Sequence, residues 1–316
     1  MVTETSRVLR ARRRWNAALG AALLFLSSPK AFGLGERPPV AELPRHEPPE
    51  GPAPRIALVL GSGGPRGFAH VGVLKVLEEM GVRPDLVVGS SVGAMVAALH
   101  CAGYDARALE AIALGIDMFD FYELREVFGR RGTGRPVERF VDEKVGGRAI
   151  EKLDVPLGVV ATRLRDRRLV VFDRGDTGLA VRASSADPDN YEPVEIGGEL
   201  YADGDELSPV PIRVAREWGA ELVIAVDVSA YARDTPPGVP QAWIDKDARR
   251  ARQVAAEAPL ADVLLHPDIG YYAGFSEAYR RRVMRIAEAY TRDSAAAIRA
   301  ALARPGVSAA AAPRGR

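Results

Sequence analysis

The chain of 316 residues is long enough for one large α/β domain or two small ones, and its 47% hydrophobic content supplies an ample core. A formal net charge of +1 argues against a nucleic-acid partner, because proteins that bind nucleic acids usually carry a basic surface. The only cysteine, Cys101, excludes an intrachain disulfide, and we expect it to be a small buried side chain.

Residues 1–33 are predicted to be a signal peptide. Five arginines between Arg7 and Arg14 precede the apolar run 17–26, and residues 31–33 offer a cleavage site. The apolar run is too short to span a bilayer. We therefore expect a mature chain without a transmembrane span, exported to the periplasm or secreted. The alternative to a signal peptide is a frayed amphipathic N-terminus. The sequence permits export by either the general or the twin-arginine system.

A proline-rich linker follows over residues 34–54, where the composition favours an extended chain. The folded part is expected to begin at Arg55. Residues 56–60 are uninterrupted apolar residues, typical of a strand buried on both faces of a parallel sheet. A glycine loop, residues 61–67, comes next and leads into a helix predicted over 68–80.

A second strand and helix flank Gly89-Ser90-Ser91-Val92-Gly93, called the elbow below. This order of strand, loop, helix, strand, turn and helix predicts a three-layer α/β/α fold with a mainly parallel central sheet. Further elements are predicted in chain order: a helix over 105–114, a mixed aromatic segment over 117–131, a helix over 136–145, strands over 157–162 and 168–172, a hairpin over 195–202 that turns at Gly197-Gly198, a helix over 211–218, a strand over 221–227, a helix over 243–258, a strand over 262–266 and a long helix over 276–302.

The elbow has the G-x-S-x-G pattern with Ser91 at its centre. In a nucleophile elbow, Gly89 and Gly93 are needed because no side chain fits beside a strained serine, whose hydroxyl then stands at the positive end of the next helix. The alternative is an ordinary tight turn with a solvated serine. The flanking strand and helix favour the catalytic interpretation.

The glycine loop fits neither common nucleotide-binding pattern. Arg66 occupies the sixth place, where a dinucleotide fingerprint requires glycine, and no Lys-Ser/Thr pair follows the last glycine as in a Walker loop. Its backbone N–H groups at a helix N-terminus would suit an anion. An oxyanion formed at Ser91 could therefore be held by Gly63, Gly64 or Arg66.

A nucleophilic serine needs a base. His46 lies in the linker, His70 is placed inside the first helix, and His100 ends the helix after the elbow. The residues alone leave two alternatives, His266 or a carboxylate.

Three spaced motifs, with their flanking segments 68–74, 182–188 and 207–212, resemble the patatin-like phospholipase family over about residues 56–228. They are Gly63-Gly64-x-Arg66-Gly67, Gly89-x-Ser91-x-Gly93 and Asp203-Gly204. The resemblance implies a serine hydrolase of lipid acyl esters, active at a membrane surface without metal or cofactor. Ser91 would be the nucleophile, Asp203 the base, and Gly63, Gly64 and Arg66 the oxyanion hole. The motif glycines would be Gly67, Gly89, Gly93 and Gly204.

We therefore expect a patatin-like catalytic domain over 55–230. The later predicted elements indicate a helical extension over 231–304 packed on the same domain, and the composition of residues 305–316 indicates a flexible tail. Three residues depart from the family pattern: Ser62 stands where glycine is common, Asp187 where an apolar residue is usual, and Asp205 where a small residue follows Asp-Gly. Two other hypotheses remain. One is an α/β-hydrolase with a Ser91–Asp203–His266 triad, and the other is a catalytically silent protein that binds lipid or a partner.

Overall fold

A single mixed sheet forms the centre of the protein. The computed structural model describes residues 55–117, 120–123 and 129–304. The predicted signal peptide, linker and tail, and part of the aromatic segment, lie outside these residues. In the described part the sheet has eight strands. They are β1 (Ile56–Leu60), β2 (Leu86–Ser90), β3 (Leu157–Arg163), β4 (Arg168–Phe172), β5 (Val194–Ile196), β6 (Glu199–Asp203), β7 (Leu222–Val226) and β8 (Val263–Leu265).

The strand order is β5-β6-β3-β2-β1-β7-β8, and β4 pairs with β3 beside this path. All pairs among β1, β2, β3, β7 and β8 are parallel, whereas β4, β5 and β6 pair antiparallel. With helices on both faces, the predicted three-layer fold with a mainly parallel sheet is confirmed.

Helices cover the sheet on both sides. They are α1 (Ala69–Glu79), α2 (Val92–Cys101), α3 (Ala106–Gly115), α4 (Arg135–Val145), α5 (Thr177–Ser184), α6 (Ile212–Glu217), α7 (Gln241–Glu257), α8 (Glu277–Asp293) and α9 (Ala295–Leu302). None of the helices in the described ranges is both long enough and apolar enough to cross a bilayer.

The core lies on both faces of β1, which is buried along its whole length. Leu58 and Leu60 belong to the apolar cluster under α1, α2 and α8. Ala57 and Val59 belong to the cluster under α6, which includes Trp218. This two-sided burial explains why the strand is an uninterrupted apolar run.

The C-terminal part contacts the rest of the fold at several places. Strand β8 pairs in parallel with β7. Helix α8 approaches α1 so closely that a Cβ on Gly72 would lie 2.1 Å from the carbonyl oxygen of Met284. Helix α7 is held mainly by charged side chains, because Val254 is its only buried residue.

Two of the predicted helices differ in the structure, and one further helix, α5, has no counterpart in the prediction. The first begins with a 3-10 turn over Gly64–Phe68 before α1. The helix predicted over 276–302 is interrupted at Ser294, whose hydroxyl donates to the carbonyl oxygen of Tyr290. Helix α5 was not predicted; it begins at Asp176, whose side chain accepts from the backbone N–H of Leu179.

Candidate active site

Ser91 lies at a strained turn between β2 and α2. Its φ of 55° and ψ of −125° are unusual for a residue with a side chain, and only Arg167 shares a positive φ among the non-glycine residues that the structure describes. Such strain persists only where the surroundings enforce it and is typical of nucleophile elbows.

The surrounding glycines leave no room for a side chain. A Cβ on Gly93 would lie 2.1 Å from the carbonyl oxygen of Leu60, and one on Gly89 would lie 2.4 Å from the Cα of Ala94. The other motif glycines, Gly67 and Gly204, are similarly confined. Close packing therefore accounts for all four glycines.

The Ser91 hydroxyl donates a 2.8 Å hydrogen bond to Oδ2 of Asp203. Asp203 ends β6, and its other carboxylate oxygen, Oδ1, accepts from the backbone N–H of Asp205 at 2.8 Å. Both side chains are buried. The carboxylate is thus held from one side by its own turn and presents its second oxygen to the serine.

The glycine loop lies beside the elbow because β1 and β2 are parallel neighbours, with Leu60 paired to Gly89. The backbone N–H of Arg66 donates to the carbonyl oxygen of Gly63 at 3.2 Å, so this predicted oxyanion donor is already engaged in the 3-10 turn. Gly63 is the N-cap and Gly64 the first residue of that turn, where N–H groups have no partner within the helix. Of the three predicted donors, Gly63 and Gly64 therefore have the N–H groups better suited to bind an oxyanion.

The histidines make their contacts elsewhere. Nε2 of His266 lies 3.0 Å from the carbonyl oxygen of Ser229, and its ring stacks on Tyr231. His70 contacts Gly61, and His100 is half-buried near Glu78. Among the residues that the structure describes, Asp203 and not a histidine contacts the Ser91 hydroxyl. Among the described residues no group of three or more His, Cys, Asp or Glu has a metal-binding arrangement.

Residues 58–216 match the sequence model described as patatin-like phospholipase. The chain belongs to the patatin-like phospholipase family.

Relatives are found in bacteria, animals and fungi. An uncharacterized NTE family protein of Mycobacterium tuberculosis is 38% identical over 205 residues, which are 62% of this chain and 56% of that protein. Patatin-like phospholipase domain-containing protein 6 of Homo sapiens is 35% identical over 55% of this chain and 13% of its own length. Lysophospholipase NTE1 of Coccidioides immitis is 30% identical over 58% and 12%. The chain therefore spans about half the length of the first of these relatives.

The crystal structure of VipD from Legionella pneumophila shares the fold. It superimposes with a TM-score of 0.56 over 82% of this chain and 71% of VipD, at 15% sequence identity.

In this patatin-like site, the environment of Asp203 favours its protonated form. Burial raises the pKa of the carboxyl group well above its ordinary value, and the negative charges of Asp205 and Asp187 raise it further. The hydrogen bonds from Asp205 and Ser91 act in the opposite direction. A carboxylate in such a place binds a proton more strongly than one in water.

Sequence reasoning missed two contributions to the site. The backbone N–H of Ser91 donates to the hydroxyl of Ser184 at 2.8 Å, from the end of the unpredicted helix α5. Arg250, on α7, binds the carboxylate of Asp205 through two hydrogen bonds of 2.8 Å. Ser184 lies in the segment 182–188, whose resemblance to the family could have indicated that it belongs to the site. No motif in the sequence points to Arg250.

Proposed function

We propose that this protein is a serine lipid acyl hydrolase that cleaves carboxylic esters of phospholipids or lysophospholipids with a Ser91–Asp203 dyad. The observation that carries the proposal is the 2.8 Å hydrogen bond from the Ser91 hydroxyl to Asp203, at a strained elbow beside the glycine loop. Membership of the family and the printed name of the fungal relative, a lysophospholipase, support the substrate class.

In the proposed reaction, Asp203 accepts the proton of Ser91 as Oγ attacks the ester carbonyl carbon. The carbonyl oxygen becomes negative and is held by the N–H groups of Gly63 and Gly64, and such donors are typically worth about 3–4 kcal/mol of barrier. The C–O bond to the alcohol or lysolipid then breaks, and that leaving group takes the proton from Asp203. Water, deprotonated by Asp203, then attacks the carbonyl carbon of the acyl-serine. The bond from that carbon to Oγ of Ser91 breaks, Asp203 returns the proton to Oγ, and the fatty acid is released.

The raised pKa of Asp203 supports its role as a base. A general base is most effective when its pKa lies near the working pH, and burial moves a carboxylate in that direction. We also propose action at a membrane surface and export to the periplasm or beyond. Action at a membrane surface is inferred from the lipid substrate, and export is inferred from residues 1–33. Cell fractionation of the full chain tests the export.

Ester hydrolysis tests the function directly. The full chain would be assayed with p-nitrophenyl esters of several chain lengths and with phospholipid and lysophospholipid, beside Ser91→Ala, Asp203→Asn and His266→Ala. We expect the first two variants to lose about a thousandfold or more of kcat, and His266→Ala to stay active.

Three results would contradict the proposal. An equal loss in a folded His266→Ala variant would favour a triad. Loss of activity on chelation would show that the reaction needs a metal. A wild type that binds lipid vesicles without turnover, with binding unchanged in Ser91→Ala, would favour a silent binding protein.

A further inference from the structure

A second buried carboxylate stands next to the base. Asp205 is 6% exposed and lies two residues after Asp203, in the 3-10 turn Gly204–Glu206. Its oxygens accept two hydrogen bonds from the guanidinium of Arg250 and one from the hydroxyl of Ser62. Arg250 is itself largely buried, with 12% of its side chain exposed. Two charged groups removed from water in this way are costly unless they are paired, and here they form a planar two-point contact.

The ion pair between Asp205 and Arg250 is linked to the dyad through hydrogen bonds. The backbone N–H of Asp205 donates to Oδ1 of Asp203, and Oδ2 of Asp203 accepts from Ser91. Anchoring the Asp205 side chain fixes the 3-10 turn that contains it. The fixed N–H of Asp205 then sets the direction of the Asp203 carboxylate. Ser62 lies in the glycine loop, so its hydrogen bond to Asp205 joins the oxyanion loop to the base.

The other charges near the dyad have their own partners. Lys246 contacts Asp187 at 2.8 Å and Asp189 at 3.0 Å. Arg249 pairs with Glu206 at 3.0 Å.

Two further groups complete the surroundings. Asp247 lies 3.5 Å from Arg250 and accepts from the hydroxyl of Tyr271. The guanidinium of Arg66 donates to the carbonyl oxygen of Tyr271. Arg250 is therefore the cation that contacts the Asp205 carboxylate directly.

We propose that Arg250 and Ser62 are positioning residues that hold Asp205 ionised beside Asp203, so that Asp205 fixes the direction of the Asp203 carboxylate and strengthens it as a base. The catalytic consequence rests on the proposed function, whereas the electrostatic relationship between the two carboxylates does not.

The charges determine which carboxylate holds the proton. Burial opposes ionisation of Asp205, but the charge and hydrogen bonds of Arg250, together with the Ser62 hydroxyl, keep the pKa of Asp205 below its ordinary value. No cation contacts Asp203 in the described part of the chain, and burial together with the negative charge of Asp205 raises its pKa. Because Arg250 keeps Asp205 ionised, the first proton that the pair takes up as the pH falls binds to Asp203, and above its raised pKa Asp203 is the ionised base.

The test compares the two halves of the ion pair. In Asp205→Asn the acid limb of the kcat–pH profile should move to lower pH by about one pH unit, and the plateau should fall because Asp203 becomes a weaker base. In Arg250→Met the acid limb should also move to lower pH, because Asp205 loses the cation that keeps it ionised, takes up the proton before Asp203 does and no longer places a negative charge beside it. The double variant should move the limb no further than Asp205→Asn does, because Arg250 acts through Asp205. Loss of a purely structural contact would lower the plateau without moving the limb.

Arg249→Gln is the matched control. It removes a cation from the adjacent position of the same helix, where Arg249 contacts Glu206 and not Asp205. Its acid limb should stay at the wild-type pH.

A measurement without turnover separates this inference from the proposed function. Carbon-13 NMR of aspartate-labelled full chain, with the Asp203 signal assigned by its loss in Asp203→Asn, follows the titration of Asp203 directly. A shift of the Asp203 titration to lower pH in both Asp205→Asn and Arg250→Met would support the inference even if the wild type hydrolysed no ester, which would refute only the proposed function. An unchanged Asp203 titration in Asp205→Asn, or an equal shift in Arg249→Gln, would overturn the inference.

Discussion

The imidazole of His70 lies 2.8 Å from the carbonyl oxygen of Gly61, the first residue of the glycine loop. His70 is fully buried in α1, and its Nδ1 has no hydrogen-bond partner within the described ranges. A carbonyl only accepts, so Nε2–H donates. Burial lowers the pKa of His70 to about 4. The contact ties α1 to the loop that is proposed to hold the oxyanion.

His70 should make the protein less stable in mild acid. Between pH 6.5 and about 4 the unfolded chain binds a proton at this residue and the folded protein does not. Its stabilising contribution is therefore complete above pH 6.5 and is lost as the pH falls, by about 3 kcal/mol in total. Urea unfolding at several pH values checks this. The stability difference between wild type and His70→Gln should shrink as the pH falls, and a constant difference would contradict the assignment.

Gly93→Ala should destabilise the protein by at least about 2 kcal/mol. The added Cβ would overlap the backbone of Leu60, and backbone in a central strand cannot move aside as a flexible side chain can. Gly115→Ala is the control, since it ends α3 with nothing within 4 Å of an added Cβ; it should be neutral or stabilising. Thermal unfolding of both variants measures these changes in stability. An equal change in Tm in the two variants would show that close packing does not explain the glycine at position 93.

The elements that sequence predicts best are those with local signals. Strand β1 is a continuous apolar run, Gly197 and Gly198 have the positive φ that the predicted hairpin requires, and the elbow needs glycine for steric reasons within one turn. The site residues Ser91 and Asp203 came from such motifs.

The missing features depend on distant parts of the chain. Helix α5 is short and its residues are all buried or half-buried, so its sequence has no polar face to indicate an amphipathic helix, and nothing local places Ser184 beside Ser91. Arg250 lies 45 positions after Asp205, and only the packing of α7 brings them together. Sequence showed Asp205 as an extra negative charge, and could not show the cation that keeps it ionised.

Ser184→Ala should lower kcat about tenfold or more and cost about 1–3 kcal/mol of stability. The variant leaves the buried N–H of Ser91 without its acceptor and releases the strained elbow. Ser185→Ala is the matched control, because the Ser185 hydroxyl is buried without a hydrogen-bond partner in the described part of the chain. Ester hydrolysis and thermal unfolding should both separate the two variants. An active, stable Ser184→Ala would show that the elbow holds its conformation without this bond.

Asp203→Asn should abolish hydrolysis and stabilise the protein at pH 7.5. The folded-state pKa of Asp203 is raised, chiefly by burial, so its charged form costs stability at every pH above that pKa; the cost begins to shrink as the pH falls through the folded-state pKa and is gone below the ordinary pKa of an aspartate. Asparagine carries no charge, and its amide oxygen can still accept from the N–H of Asp205. Each kcal/mol gained should raise Tm by about 2–4 °C. Ser91→Ala, which is equally inactive but keeps the buried carboxylate, should show no such rise. A Tm of Asp203→Asn below that of the wild type at pH 7.5 would mean that the charge of Asp203 stabilises the fold, and that the site is not strained in favour of catalysis.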